Sequence, residues 1–280
     1  MTDASDQASD QADAADAAAA EARIDSTVPH SARFWNHWLG GKDNYEVDRV
    51  IAEQIAATWP GLVDVARTSR SFLHRAIRHL VEDTGMRQFL DVGTGLPTAE
   101  NTHEVAQRLA PEARVVYVDN DPLVLAHARA LLTSSPEGAT DYLDADLRDT
   151  DRILREAART LDLSRPVALI LMGVMGHVAD HGEAKVIIGR LLDGLPSGSH
   201  LVHYDGTNTS PGMVEAQDQY NSSGAVPYHV RSPQQIAGYF DGLDVLEPGI
   251  VRVTEWRPGT GHLLGGPLEV DAYGGVGRKP

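Results

Sequence analysis

The chain has 280 residues, 42% hydrophobic and 23% charged, a globular balance with room for one large α/β domain or two small ones. A formal net charge of −16 argues against a non-specific nucleic-acid surface, and zero cysteines exclude disulfides, thiolate nucleophiles and Cys-based zinc sites. The longest apolar run, Val167 to Gly176, is about half a membrane span, and no basic residue precedes a hydrophobic stretch near Met1, so a cytoplasmic chain without a membrane segment is expected.

Residues 1–28 hold seven acids against one arginine and almost no large apolar side chain. Such a tract cannot offset its ordering entropy and is expected to be a disordered acidic tail. From Pro29 onward, Phe34, Trp35 and Trp38 supply one apolar helix face, which Gly40-Gly41 ends. The following Lys42-Asp43-Asn44-Tyr45 cluster is too polar for a core and too aromatic for a linker. It reads as a helix cap with a surface turn, or as a functional loop on a rigid scaffold. Val47 to Trp59 reads as a helix stopped by Pro60-Gly61. The stripe Phe72, Leu73, Ala76, Ile77, Leu80 and Val81 predicts another from about Val63 to Thr84. Residues 29–80 are therefore expected to form a helical cap on a domain spanning 81–280. His74 and His79, on or beside the second helix, read as solvated or packed.

Phe89-Leu90-Asp91-Val92 is too short for a helix and reads as a buried parallel strand. Gly93 and Gly95 allow a sharp turn and a close approach to a ligand. A helix from Thr98 to about Leu109 and a second strand, Val115 to Asp119, complete a nucleoside-binding βαβ unit whose terminal acid suits ribose hydroxyls. A dinucleotide fingerprint fails here. The third glycine position is Thr98, and Asp91 would repel a pyrophosphate while suiting a cofactor that carries positive charge.

Asn120-Asp121-Pro122 starts a helix through Leu132, with Asp121 as its N-cap. Ala139 to Leu143 is a third strand, with Asp144-Ala145-Asp146-Leu147 at its carboxyl end. Val167 to Leu171 is the fourth and runs into Met172-Gly173-Val174-Met175-Gly176-His177. His177 stands where a general base could act; the alternative is a packed or solvated histidine. His177 and His181 have a four-residue spacing but lack the glutamate of a zinc helix, so no metal is expected. Asp180 and Glu183 form a capping box for a helix to Leu195, and His200 to Tyr204 is the fifth strand. Helices near Pro211–Asn221 and from Ser232 to Phe240 precede strands at Leu243–Leu246, Ile250–Val253 and Tyr273–Lys279, with a Gly- and Pro-rich loop at 258–271.

The run Asp91-Val92-Gly93-Thr94-Gly95-Leu96-Pro97 resembles motif I of class I S-adenosylmethionine (SAM) methyltransferases, D-x-G-x-G-x-G, with Pro97 where the last glycine usually stands. Taken with Leu39-Gly40-Gly41-Lys42-Asp43-Asn44 and Tyr117-Val118-Asp119-Asn120-Asp121-Pro122, the chain from about Pro29 to Pro280 resembles one actinobacterial family of SAM-dependent methyltransferases long described only as a domain of unknown function. The resemblance implies an α/β, Rossmann-like class I fold: a seven-stranded, mostly parallel sheet with an antiparallel last strand, plus the helical cap. It implies SAM as cofactor, held by Asp91, Gly93, Thr94 and Gly95, by Asp119 and Asn120 at the ribose, by Asp146 and Leu147 at the adenine, and by Met172 and Gly173 at the methionine portion. Lys42, Asp43 and Asn44 are expected at the mouth of that site, meeting the cofactor's carboxylate or ammonium. The acceptor is expected to be a small molecule or a protein side chain, attacking through O, N or C. The rival readings are a SAM-binding regulator without turnover and an NAD(P) oxidoreductase. Nothing in the sequence indicates the oligomeric state.

Overall fold

Short runs of Val, Ile, Leu and Phe with both faces apolar build the centre of the molecule, a mixed sheet covered on each side. The computed structural model describes residues 24–97, 100–131, 133–259 and 268–280. Most of the acidic tail, Thr98, Leu132 and the middle of the 258–271 loop lie outside the described residues. The strands β1 (Gln88–Val92), β2 (Arg114–Asp119), β3 (Ala139–Asp144), β4 (Ala168–Met172) and β5 (His200–Gly206) run parallel in the spatial order β3-β2-β1-β4-β5. Two-residue strands β6 (Asp244–Val245) and β7 (Val251–Arg252) both pair antiparallel with β8 (Ala272–Arg278), itself antiparallel to β5. The sheet thus has eight strands where seven were expected. The eighth is β7, a spur that pairs with β8 off the main path.

Successive strand residues point to opposite faces. Phe89, Val115, Tyr117, Ala168, Ile170 and Val202 turn one way, into a core closed by α3 (Gly61–Thr84) and α4 (Thr102–Leu109). Leu90, Val116, Val118, Leu169, Leu171 and Leu201 turn the other way, onto Ile153 and Ala157 of α6 (Thr150–Ala157) and Ile187, Ile188 and Leu191 of α7 (His181–Asp193). Each such side chain removed from water contributes about 1.5–3 kcal/mol.

A third core lies beyond the carboxyl ends of the strands. Phe34 and Trp38 of α1 (Ser31–Trp38), Ala52 and Ile55 of α2 (Glu46–Thr58), and Met213, Ala216 and Tyr220 of α8 (Pro211–Asn221) pack together there with Leu62 and Ala66 of α3. Helix α3 therefore belongs to the cap at its start and to the sheet beyond it, and the boundary expected after residue 80 falls inside it. Helix α4 begins at Thr102, later than the expected start at Thr98. Asn101 and Glu104 close a capping box there, with the Asn101 amide donating to Glu104 Oε2 at 2.7 Å. Helices α5 (Pro122–Leu131) and α9 (Pro233–Ala237) complete the set. Among the described residues no helix is long and apolar enough to cross a membrane.

Candidate active site

A cavity of about 340 Å³ opens at the carboxyl ends of β1, β2, β3 and β4. The strand order reverses between β1 and β4, and open α/β sheets bind ligands in that crevice. Its floor is the turn after β1. Gly93 (φ +74) and Gly95 (φ +68) take the left-handed conformation that glycine adopts without penalty. The Gly95 amide donates to Asp119 Oδ2 at 2.9 Å, and the Asn120 and Asp121 amides donate to Oδ1 at 2.8 and 3.0 Å. Three N–H groups thus aim the half-buried Asp119 carboxylate into the crevice. Burial raises its pKa, against the opposing pull of the Asp121 and Gly95 amides. A carboxylate held this way suits a vicinal diol, which donates two charge-assisted hydrogen bonds.

Of the residues assigned from the sequence, Gly93, Thr94, Gly95, Asp119, Asn120, Asp146, Leu147, Met172, Gly173 and His177 all line this one cavity. Asp146 is partly engaged elsewhere, accepting from the Arg148 amide at 2.8 Å. Four of the assigned residues lie outside the cavity lining. Asp91 is not a lining residue: it is buried beneath the turn, where Oδ2 accepts from Thr102 Oγ1 at 2.6 Å. Burial pushes its pKa up to about 6, against the opposing pull of Thr102 and the Arg70 charge. Lys42, Asp43 and Asn44 are not lining residues either. Lys42 is exposed, and Asp43 Oδ1 lies 3.8 Å from His127 Nδ1 on α5. Asn44 is buried and donates to Asn36 Oδ1 at 2.7 Å and to the Gly41 carbonyl at 3.1 Å. It braces the back of α1 while Asn36 faces the cavity, so it acts one residue removed from any ligand.

The roof comes from residues that the sequence did not point to. His30, Ser31, Trp35 and Asn36 of the α1 segment and Ser69 and Arg70 of α3 line the cavity, as does Tyr204 of β5. Arg70 brings a cation to the cavity wall; burial lowers its pKa, and Asp91 is the main charge opposing that shift. It supplies there the positive charge that Lys42 was expected to bring. The general signal was present, since a long amphipathic helix before β1 must lay one side along the sheet's end. Which of its polar residues would face the crevice depended on the helix's tilt.

His177 sits on the wall between this cavity and a second chamber of about 40 Å³, lined by Trp35, Trp38, Met213, Tyr220 and Tyr228 among others. Its Nδ1 lies 3.0 Å from the Pro227 carbonyl, which can only accept. The proton is therefore on Nδ1, and Nε2 keeps its lone pair. Burial lowers the pKa, so the ring is neutral at pH 7.

Residues 17–280 match the sequence profile of the S-adenosyl methyltransferase family. A DUF574-family protein of Streptomyces avermitilis is 43% identical, with a TM-score of 0.88 over 92% of this chain and all of that one. A candidate methyltransferase of Thermobifida fusca is 37% identical, with a TM-score of 0.81 over 90% of this chain and 95% of its own. Both organisms are actinobacteria, as the resemblance implied. An O-methyltransferase-family protein of Burkholderia thailandensis, 14% identical with a TM-score of 0.50 over 84% of this chain and 60% of its own, shares the fold alone. No curated protein matches the chain. These findings set aside the NAD(P) oxidoreductase. With SAM as its cofactor, the chain belongs to the S-adenosyl methyltransferase family, the actinobacterial methyltransferases of the class I fold.

Proposed function

We propose that the larger cavity holds SAM and that the chain methylates a small-molecule acceptor presented from the His177 side. The observation that carries this reading is the aimed Asp119 carboxylate at the end of β2, backed by the two left-handed glycines. The cavity's volume falls within the range of small-ligand sites. Asp119 and Asn120 meet the ribose, Asp146 and Leu147 the adenine, and Met172, Gly173 and Arg70 the methionine end, where the guanidinium faces the carboxylate. SAM supplies an electrophilic methyl group on a sulfonium and leaves as S-adenosylhomocysteine (SAH). The protein's share is to bind, align and dehydrate the reactants, and alignment alone contributes up to about 7–11 kcal/mol in favourable cases. His177, with Nε2 unprotonated, takes the acceptor's proton.

Calorimetry with SAH tests the cofactor part without any acceptor. Asp119→Ala removes a charged hydrogen-bond acceptor and should weaken SAH binding by about 1.5–3 kcal/mol. Lys42→Ala, outside the cavity, should bind as the wild type does. Equal affinities in all three proteins would overturn the ribose assignment.

A further inference from the structure

We propose that the aromatic chamber behind His177 is the acceptor site and that its substrate is a small uncharged phenol. The proposal rests on the larger cavity being the SAM site. The two spaces share Ser31, Trp35, His177 and Tyr204 as common walls. The chamber therefore adjoins the larger cavity at His177.

Chamber size and wall chemistry select the class. About 40 Å³ is roughly the space of three water molecules, which suits the buried part of one ring and excludes a fused ring system. Among the described residues no Asp, Glu, Lys or Arg lines the chamber, so a carboxylate, phosphate or ammonium would be desolvated there without a counter-charge. Several polar atoms of the wall already have partners in the protein. Trp38 Nε1 donates to the Ala52 carbonyl at 3.1 Å, and Tyr220 Oη to the Val226 carbonyl at 2.9 Å. Gln217 Nε2 donates to Asn221 Oδ1 at 3.1 Å. Tyr228 Oη donates to the buried Asp205 at 2.9 Å and accepts from the Gly206 amide at 3.1 Å. A ligand therefore meets ring faces and hydrocarbon over most of its surface, while His177 Nε2 receives its hydroxyl. Sugars and nucleosides would leave their other hydroxyls without partners.

Among apolar hydroxyl compounds, acidity separates phenols from alcohols. A phenol ionises near pH 10, within reach of a neutral imidazole as the new bond forms, whereas an aliphatic alcohol is far less acidic. An aliphatic amine arrives as an ammonium and meets no carboxylate on the wall. In the step itself the phenolic proton moves to His177 Nε2. The phenolic oxygen bonds the methyl carbon as the carbon–sulfur bond breaks, and that electron pair stays on the now neutral sulfur of SAH. The other product is an aryl methyl ether, and the imidazolium returns its proton to solvent.

The test uses the full chain saturated with SAH and reads tryptophan emission, since Trp35 and Trp38 line the chamber. Turnover of SAM is then followed by mass spectrometry. Expected are saturable quenching by 4-methylphenol with conversion to its methyl ether, at least about tenfold weaker quenching by 4-hydroxybenzoate because its charge is unpaired, and quenching by cyclohexanol without product. Ala216→Leu, which fills the chamber, should abolish the 4-methylphenol response while leaving SAH calorimetry unchanged. If that variant unfolds, Met213→Ala decides the matter: it widens the chamber and should improve binding of 2-naphthol over 4-methylphenol. Tight SAH binding with no 4-methylphenol response, or 4-hydroxybenzoate as the better ligand, overturns the acceptor class and leaves the cofactor site standing. Loss of SAH binding in the wild type would overturn the cofactor reading instead.

Discussion

Gly93 and Gly95 share a residue type and a left-handed backbone, yet they resist substitution for different reasons. A Cβ at Gly93 would lie 2.3 Å from Val174 Cγ2, whereas at Gly95 nothing lies within 4 Å. Gly95→Ala should therefore cost only the left-handed penalty, about 1–2 kcal/mol. Gly93→Ala adds a collision with a buried side chain and should cost roughly 1–3 kcal/mol more. Urea denaturation of the two variants measures the gap, and equal losses would mean that Val174 moves aside freely. The same contrast explains what was legible at the site. Residues 93–95, 119–120, 146–147, 172–173 and 177 sit on or just past strand ends, so finding the strands was enough to bring them together. Arg70 and Trp35 enter through tertiary packing, which no local pattern encodes. The Lys42–Asn44 cluster drew a functional reading because it is polar beside aromatics. Its polarity serves a turn, with Asn44 tying Gly41 to Asn36 and its carbonyl accepting from Arg49 Nη1 at 2.7 Å.

Helix α1 forms the roof, and buried acids hold it down. Asp48 accepts the His30 and Tyr45 amides at 3.0 and 2.9 Å, joining the start of α1 to α2. Asp121 caps α5, accepting the Leu123 amide at 2.9 Å. It also lies 3.1 Å from His30 Nδ1 and 3.6 Å from Arg33 Nη2. Arg33 and Asp121 are 3% and 2% exposed, so neither charge has water as a substitute partner. Asp121→Asn keeps the cap, since asparagine caps as well as aspartate, but leaves the Arg33 charge without its anion. Breaking a buried pair in this way costs about 3–5 kcal/mol. The expected result is faster amide exchange in α1, weaker SAH binding and an unchanged β1–β5 core. Arg33→Met in the same background should recover part of the loss. Unaltered α1 protection would show that the pair does not hold the roof. At this scale the sequence was informative where punctuation is strong: α2 stops before Pro60-Gly61 and α3 ends at Thr84, both as expected. It misled at α4, where the Asn101–Glu104 capping signature was present but the helix was begun earlier, at Thr98. The two-residue strands β6 and β7 owe their existence to pairing with β8, which alternation within so short a run specifies weakly.

Across the whole molecule, the buried titratable groups pull stability in opposite directions with pH. Burial raises Asp91 to about 6 and Asp205 to about 7, so the folded chain holds protons there that the unfolded chain has released. These two favour the folded state as pH falls. Burial lowers His203 to about 3, and burial together with the nearby Arg278 charge lowers His200 to about 4, which acts the other way. Such opposing slopes flatten the wild-type profile, and a single substitution can expose one of them. His200 opens β5 at 3% exposure, pairs in register with Arg278 of β8, and also feels the His79 charge. Its folded pKa lies below the ordinary value of 6.5. The unfolded chain therefore binds the extra proton first, and the stability tied to neutral His200 is present above pH 6.5 and lost as pH falls towards 4. His200→Leu removes that proton from the balance. Whatever its stability at pH 7, the variant should gain on the wild type by up to about 1.4 kcal/mol per pH unit between pH 6 and 4. Urea midpoints of both proteins at pH 4, 5, 6 and 7 give the difference directly. A constant offset across that window would mean that His200 titrates in the folded protein as it does in the unfolded chain, with the end of β5 open to water.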